Sequence, residues 1–453
     1  MNIFKDFMSK KNIILKIIIF LLVLGIFIFF IHNNFGKHQE FYKTGKIKAI
    51  GKYYFGEKDG SWIENSEDGK SLEECNYVLG IKEGFARLIY KNGDKEEYFY
   101  VKGKKEGKAI LYYQTGTKAE YSYVNNKKEG KAILYYSNGN REEYSYKEGK
   151  KEGKVILLYK NGDKEEYLYK KGKKEGKSVY TYKNGEIEEF FYKKGKKEGK
   201  AILYYQTGTI GEYFYVKGKK EGKATLYYSN GNREEYFYKE GLKEGKATLY
   251  CTNGDMEKYS YKEGKKEGRA SIYYETGTKG EYFYKEGLKE GKAVIYYETG
   301  NKIEYSYKND KKEGDAVYYY VNGDKEEYLY QDGVKEGRAI YYYANGDKEE
   351  IFYKNGLREG SASLYYQTGT KVNYFYKNGV RHGRAILNYT NENIEKYFYK
   401  EGLKEGKAIF LYKNGDKEEY SYVKGKKEGK AIYYYINGDR EEFLYKNGIK
   451  INL

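Results

Sequence analysis

Residues 126–146 read NKKEGKAILYYSNGNREEYSY, and close copies of that string fill most of the chain. Self-similarity at a fixed period decides a fold before any local reading does. With the glycine of the KEG triplet as marker, the copies fall at Gly84, Gly107, Gly130, Gly153 and so on to Gly383, Gly406 and Gly429, each step 23 residues with no slip. That makes sixteen regular units. Two worn copies precede them: Gly60 and Gly69 keep the nine-residue spacing of Gly84 and Gly93, and Gly36 and Gly45 keep it again. Residues 36–83 are therefore read as a degenerate cap and residues 84–453 as the regular array, with no interval between them for a separate folded domain.

Each unit holds two short alternating segments. Ala132, Leu134 and Tyr136 alternate, as do Glu142, Tyr144 and Tyr146, and period two over five or six residues signals a strand. Between them lies SNGN, KNGD or QTGT, a hairpin signal. No unit carries a 3.6-residue pattern. Proline is absent, glycine numbers 55 and tyrosine 63, which suits an extended sheet with glycine at its turns. The expected fold is all-β: an elongated single antiparallel meander of thirty-odd short strands, two per unit.

Parity fixes the turns further. If Ala132, Leu134 and Tyr136 share a face with Tyr144 and Tyr146, directly opposed residues have an even sum of numbers and the loop is odd. The expectation is a three-residue loop with Gly139 left-handed, making a glycine bulge. The second turn, VNNKKEG or KEGKKEG, must also preserve the shared face. Its glycine column gives way only to Asn126 and Asp310, the residue types that best tolerate positive φ after glycine. Gly84, Gly107, Gly130, Gly139 and Gly383 are read as structural turn glycines. Where Glu392 replaces glycine in TNENIEKY, the expectation is a remodelled turn with Asn391 or Asn393 left-handed.

A long meander gains stability from neighbour stacking. Tyrosine columns meeting across strands supply it, at roughly 0.2–1 kcal/mol per cross-strand pair. One column is tyrosine throughout, from Tyr77 and Tyr100 to Tyr445, and a second is nearly so, with Phe190, Ile351 and Phe443 as apolar substitutes. Eighteen units of two strands would extend on the order of 170 Å.

The N-terminus differs in kind. Residues 13–31, IILKIIIFLLVLGIFIFFI, are broken only by Lys16 and Gly25, and about 20 apolar residues span a bilayer as a helix. A cleaved signal peptide is the rival reading; its small-residue cleavage pattern is missing from IHNNFGKHQE, and no cysteine follows the apolar run to accept a lipid. The expectation is an uncleaved signal-anchor over 13–31 in the inner or cytoplasmic membrane. Lys5, Lys10, Lys11 and Lys16 then place the basic segment 1–12 in the cytoplasm and the array outside it, in the periplasm or at the cell surface.

The chain has 85 Lys+Arg against 67 Asp+Glu, a formal charge of +18, yet one unit, Lys131 to Gly153, has five basic and four acidic residues. Nucleic-acid surfaces usually concentrate basic residues and keep carboxylates away, so no nucleic-acid partner is expected. The recurrent pairs Glu96-Glu97 and Glu142-Glu143 read as part of a solvated mixed-charge surface. Cys75 and Cys251 lie 176 residues apart, roughly 70 Å along such a sheet, too far for a disulfide.

Residues 376–385, YKNGVRHGRA, with YANGDKEE at 343–350 and the 23-residue period, resemble the MORN repeat (membrane occupation and recognition nexus) in its bacterial variant form. Most units depart from the usual pattern, with Glu where His382 stands and Ala385 and its column replacing the second glycine. The resemblance implies elongated antiparallel sheets that scaffold proteins or contact membranes. Some bacterial relatives carry an antitoxin label, and some MORN proteins carry lipid-kinase or methyltransferase domains, for which this chain has no room.

Nothing in the sequence points to chemistry. His32, His38 and His382 form no metal-ligand spacing with a cysteine. Adjacent glutamates on a strand face opposite ways, and glycine-rich turns without a strand–loop–helix context are not phosphate loops. Trp62 is read as packing the start of the array. The expectation is a non-enzyme with no cofactor or metal: a membrane-anchored scaffold presenting a tyrosine-rich, mixed-charge ribbon to a protein or an envelope polymer. Repeated weak contacts would add by avidity. Tyr112, Tyr135, Tyr204, Tyr227, Tyr273, Tyr296 and Tyr342 form the candidate binding surface, or else merely cover the second face of the sheet. The alternatives are an antitoxin-like partner of a cognate toxin and apposition to anionic lipid.

Overall fold

The computed structural model describes residues 2–35 and 37–452; Gly36, the first marker of the worn copies, lies outside them. A single helix, Asn2–Phe35, comes first. Its Lys10–Ile31 stretch has a mean hydropathy of 3.2 with none of it buried, which is compatible with a single-pass membrane anchor. All that follows is β. The chain divides into two units, Met1–Lys220 and Glu221–Leu453, and within each the strands form an antiparallel meander in which chain neighbours pair.

The first turn is the odd loop that parity requires. Tyr135 opposes Arg141. Beyond that pair, the Tyr136 N–H donates to the Asn140 carbonyl at 2.9 Å and the Gly139 N–H to the Tyr136 carbonyl at 3.0 Å. Ser137, Asn138 and Gly139 form the loop, with Gly139 at φ 89°. Ala132 then opposes Tyr144 and Leu134 opposes Glu142, all on one face.

The second turn is tighter. Val124 opposes Lys127 across two residues, Asn125 at φ 49° and Asn126 at φ 69°. Two left-handed residues in a two-residue loop match the right-handed twist of the flanking strands. In other units the first of them is Lys102, Glu148 or Lys171, all near φ 50°. Sequence reading caught the glycine column there but not the ordinary residue before it. The shared face survives the bulge that follows: Ser122 opposes Glu129, yet Glu120 opposes Ile133, so three residues beginning with Gly130 face Tyr121 alone. Two extra residues are an even number, and parity is kept.

That bulge also corrects the strand count. In many units it cuts the strand in two, as between Lys196–Lys197 and Gly199–Tyr204, which gives 47 strands among the described residues instead of thirty-odd. The TNENIEKY turn is corrected as well. Glu392 itself takes the left-handed position at φ 70°, its N–H donating to the Tyr389 carbonyl at 3.1 Å, so the ordinary turn persists.

One face is packed and forms the core. The alanine column lies under tyrosine rings that meet edge to face in a zigzag: Tyr98–Tyr123 at 6.1 Å, Tyr121–Tyr123 at 5.7 Å, Tyr121–Tyr146 at 6.0 Å and Tyr144–Tyr146 at 5.3 Å between centroids. Each such pair contributes about 0.5–1.5 kcal/mol beyond area burial. The cap has its own aromatic cluster around buried Trp62, whose indole N–H donates to the Lys52 carbonyl at 3.0 Å and whose ring lies edge-on to Tyr53 and Tyr77. A β-carbon on Gly51 would fall 2.1 Å from the Trp62 ring. Gly51→Ala is therefore expected to destabilise the cap by about 1–3 kcal/mol through overpacking. Trp62 is the only tryptophan, so its fluorescence reports the cap alone. An emission spectrum and unfolding midpoint unchanged by the substitution would refute this account.

Candidate binding surface

The packed face holds a ladder of carboxylates. Glu188, 2% exposed, accepts hydrogen bonds from the Tyr213 and Tyr215 hydroxyls at 2.5 and 2.7 Å and from Lys197 Nζ at 2.8 Å. Glu96 is bound likewise by Tyr121, by Tyr123 at 2.7 Å and by the turn tyrosine Tyr90 at 3.4 Å, with Lys105 Nζ 3.6 Å away. The recurring rung is thus the first glutamate of each pair, a tyrosine of its own turn, and a lysine and two tyrosines from further along the chain. The lysine caps the ring column as well: Lys105 Nζ stands 3.5 Å from the Tyr98 centroid and 5.1 Å from that of Tyr123. Burial alone would raise Glu96 and Glu188, but the hydroxyls and lysines hold both below the ordinary carboxylate range. Burial, then the neighbouring carboxylate, pushes Tyr90 up to about 12.

This overturns the solvated reading for half of each pair. Glu142, the first residue, faces inward and is buried, while Glu143, the second, faces outward.

Some rungs lack the carboxylate. The column reads Ala119, Gly211, Gly280, Ile303 and Val372 at five positions, and there the two tyrosine hydroxyls meet each other instead: Tyr144–Tyr146 at 3.4 Å, Tyr236–Tyr238 at 3.4 Å, Tyr305–Tyr307 at 3.0 Å, Tyr328–Tyr330 at 3.4 Å and Tyr397–Tyr399 at 3.5 Å.

The other face of the sheet is open. Of the seven tyrosines singled out from the sequence, Tyr112, Tyr135, Tyr204, Tyr227 and Tyr296 are exposed and Tyr273 and Tyr342 half-buried. Each stands at a strand end, opposite a basic residue in most units, as Tyr112 opposes Lys118 and Tyr135 opposes Arg141. Cations lie over the rings of Tyr135, Tyr273 and Tyr342, Lys325 Nζ being 4.6 Å from the Tyr342 centroid. Sequence reading missed a second aromatic column on this face. Phe99, Phe191, Phe214 and Phe237 are each close to half exposed. The signal was present: a residue between Tyr98 and Tyr100 on an alternating strand must point away from both.

Between these columns a groove recurs. One copy, about 410 Å³, is lined by Lys108, Ile110, Glu120, Ser122, Lys131 and Ile133. The next, about 270 Å³, is lined by the residues 23 further on, Lys131, Ile133, Glu143, Ser145, Lys154 and Ile156. A third, about 420 Å³, uses Asp315, Val317, Glu327, Leu329, Arg338 and Ile340. The outward glutamates pair with basic neighbours, as Glu189 with Lys177 at 3.0 Å and Glu212 with Lys200 at 3.1 Å, so the face carries mixed charge.

Among the described residues one cluster has metal-ligand geometry, Glu64, Glu73 and Cys75, with donor atoms within 4.8 Å of one another. Lys82 already bonds both carboxylates, Glu64 at 2.8 Å, and burial pushes the Cys75 thiol up to about 12. Cys75 and Cys251 are both free. His38 packs edge-on against Tyr53 and His382 is exposed on a strand, so the structure brings no histidine to a shared site among the described side chains.

The family model of the MORN repeat matches thirteen stretches, residues 99–118, 122–141, 168–187, 191–210, 214–233, 237–256, 283–302, 306–325, 330–348, 352–371, 375–394, 398–417 and 421–440. The search of curated proteins returns no match. Among solved structures, one similar chain is the TCP domain of Drosophila melanogaster SAS-4 (dCPAP) in complex with a proline-rich motif of Ana2. It is 20% identical over 34% of this chain and 85% of that one, with a TM-score of 0.22. Another is the G-box domain of the microcephaly protein CPAP, 15% identical over 50% of this chain and 99% of that one, with a TM-score of 0.16. At such TM-scores neither likeness says anything further about this chain.

Proposed function

Because the chain belongs to the MORN-repeat family, a family of non-catalytic repeat scaffolds, we propose that it is itself a non-catalytic, membrane-anchored scaffold that binds through the open face of its sheet. One observation carries the reading: a groove of the same make recurs in register in adjacent units, over 108–133 and 131–156, and again over 315–340, on the face that carries the exposed tyrosine and phenylalanine columns and that no described residue covers. A surface repeated at the hairpin period suits an extended or repetitive partner, a protein or an envelope polymer, because many weak contacts add by avidity. The Lys10–Ile31 helix supports anchoring. The lysines that precede it support a cytoplasmic N-terminus with the array outside the membrane.

The test is site-specific photo-crosslinking in intact cells, with the crosslinker at Tyr135, Tyr204 or Tyr227 on the open face and at Lys151 or Lys197 on the packed face. Crosslinks concentrated on the open face, and reached by a crosslinker carrier that does not cross the inner membrane, are the expected result. Equal labelling of both faces would refute the docking surface, and protection of the array until lysis would refute the orientation.

A further inference from the structure

In the rung at Ala119 every partner of a carboxylate is present and the carboxylate is not. We propose that this vacant rung is a binding site for an external carboxylate group, held by Lys128 and by the hydroxyls of Tyr113, Tyr144 and Tyr146.

Three observations carry this. First, the frame is the one that holds a carboxylate elsewhere. Glu96 lies between Leu88 and Leu111 on the flanking strands, and Glu142 between Leu134 and Leu157; Ala119 lies between Leu111 and Leu134. At three other neutral rungs the gap is filled. A β-carbon at Gly280 would stand 2.8 Å from Ile272 Cγ2, and Ile303 and Val372 bury their own side chains.

Second, the donors converge without an acceptor. The tyrosines that would bind the carboxylate bond one another through a long 3.4 Å hydroxyl contact. The turn tyrosine Tyr113 takes the place from which Tyr90 and Tyr136 donate to Glu96 and Glu142. Entry of a carboxylate exchanges one weak neutral contact for charge-assisted bonds, which are about twice as strong. The rings have closed over Ala119, which is 2% exposed, so entry requires the hydroxyls to part.

Third, a cation is left over. The lysines of carboxylate-bearing rungs pair with them, Lys151 with Glu142 at 2.8 Å and Lys174 with Glu165 at 2.9 Å. Among the described residues Lys128 has no carboxylate within ion-pair distance; its ammonium lies 3.9 Å from the Tyr121 centroid and 5.5 Å from that of Tyr146. Burial lowers its proton affinity, opposed by Glu96 in the preceding rung.

The atoms missing at Ala119 relative to a glutamate are those of acetate, which makes acetate the probe. Hydrogen exchange of the full-length protein in detergent is measured in sodium acetate against sodium chloride at equal ionic strength. Acetate is expected to slow exchange at least threefold in Lys118–Val124 and Arg141–Lys147, half-saturating at about 1–50 mM, as suits a ligand of four heavy atoms. Ala119→Glu should give that protection without acetate and abolish the response, and Lys128→Met should abolish the response alone. An equal response in Ala119→Glu, or an undiminished one in Lys128→Met, would overturn the site. A glutamate-rich peptide, with its glutamine counterpart as control, separates the sources. Protection by the first that acetate competes away identifies acidic polypeptide as a ligand, and protection by acetate alone restricts the site to small free carboxylates.

Discussion

Above about pH 10 the array unfolds steeply, with tyrosine ionisation and loss of sheet occurring as one event. The expectation follows from the ladder. Tyr98, Tyr121, Tyr213, Tyr259 and Tyr420 are pushed well above the ordinary phenol value, first by burial and then by the glutamate each hydroxyl donates to. In the unfolded chain the same hydroxyls ionise near pH 10. Between that value and their folded values the native state binds more protons than the unfolded one, so stability falls as pH rises. Each buried tyrosine adds to the slope, and nearly every unit contributes. The acid side has the opposite sign. Glu96, Glu142, Glu188, Glu234 and Glu395 are held below the ordinary carboxylate range, so their contribution is complete above that range and lost as pH falls through the folded values. Tyrosinate absorbance and far-ultraviolet circular dichroism, followed together through an alkaline titration, check this. Full ionisation of the tyrosines with the sheet intact would show that the hydroxyls are not sealed in the ladder.

Much of this architecture was legible in the sequence because an array supplies its own comparison. The even sum of Ala132 and Tyr144 demanded an odd loop, and the loop ends on left-handed Gly139. The substitutions Asn126 and Asp310 marked positive φ before any coordinates did. Positions such as Lys102 and Glu148 gave no such mark, because the turn's twist forces them left-handed whatever their side chain. The burial of Glu142 was hidden for another reason. Its alternation with Tyr144 and Tyr146 placed it on the packed face, but the general tendency of charge to be solvated outweighed that. Of the partners that make burial tolerable, Lys151 comes from across the second turn and Tyr167 from the next unit, so the set cannot be seen within one unit. A subtler signal was available: where the column loses its glutamate it turns to Ala119, Gly211, Gly280, Ile303 or Val372, small or apolar each time, as a buried position requires. The open face was legible in its tyrosines and not in its grooves, which are lined by small residues such as Ser122 and Ser145 where other units carry phenylalanine.

Glu349 is the rung on which most depends, and Glu349→Ala is expected to cost on the order of 3–5 kcal/mol locally, the range for removing one partner from a buried ion pair. Its carboxylate is fully buried. It accepts from Tyr374, from Tyr376 at 2.9 Å and from Tyr343 at 3.0 Å, and two guanidinium groups, Arg358 and Arg381, each lie 3.6 Å away. Two cations converge here because the next rung is Val372, which offers Arg381 nothing. Arg381 therefore reaches back to Glu349. Once Glu349 is gone, Arg358 keeps its hydrogen bonds to the Tyr353 and Tyr376 hydroxyls but only a distant carboxylate, Glu326 at 3.9 Å. Unfolding of a repeat array need not be two-state, so the measurement is native-state hydrogen exchange in Lys348–Lys354 and Lys371–Lys377. Combining Glu349→Ala with Arg381→Met should recover part of the loss. What is costly is the stranded charge, and replacing a whole buried pair by apolar groups is often close to neutral. The rungs at Ile303 and Val372 go half that way, with the carboxylate replaced by an apolar side chain and the cation, Lys312 or Arg381, retained. If the single substitution costs under about 1 kcal/mol, or the double variant is worse than the sum of its parts, the glutamate is a spectator to packing by the tyrosines and the ladder is held by its rings alone.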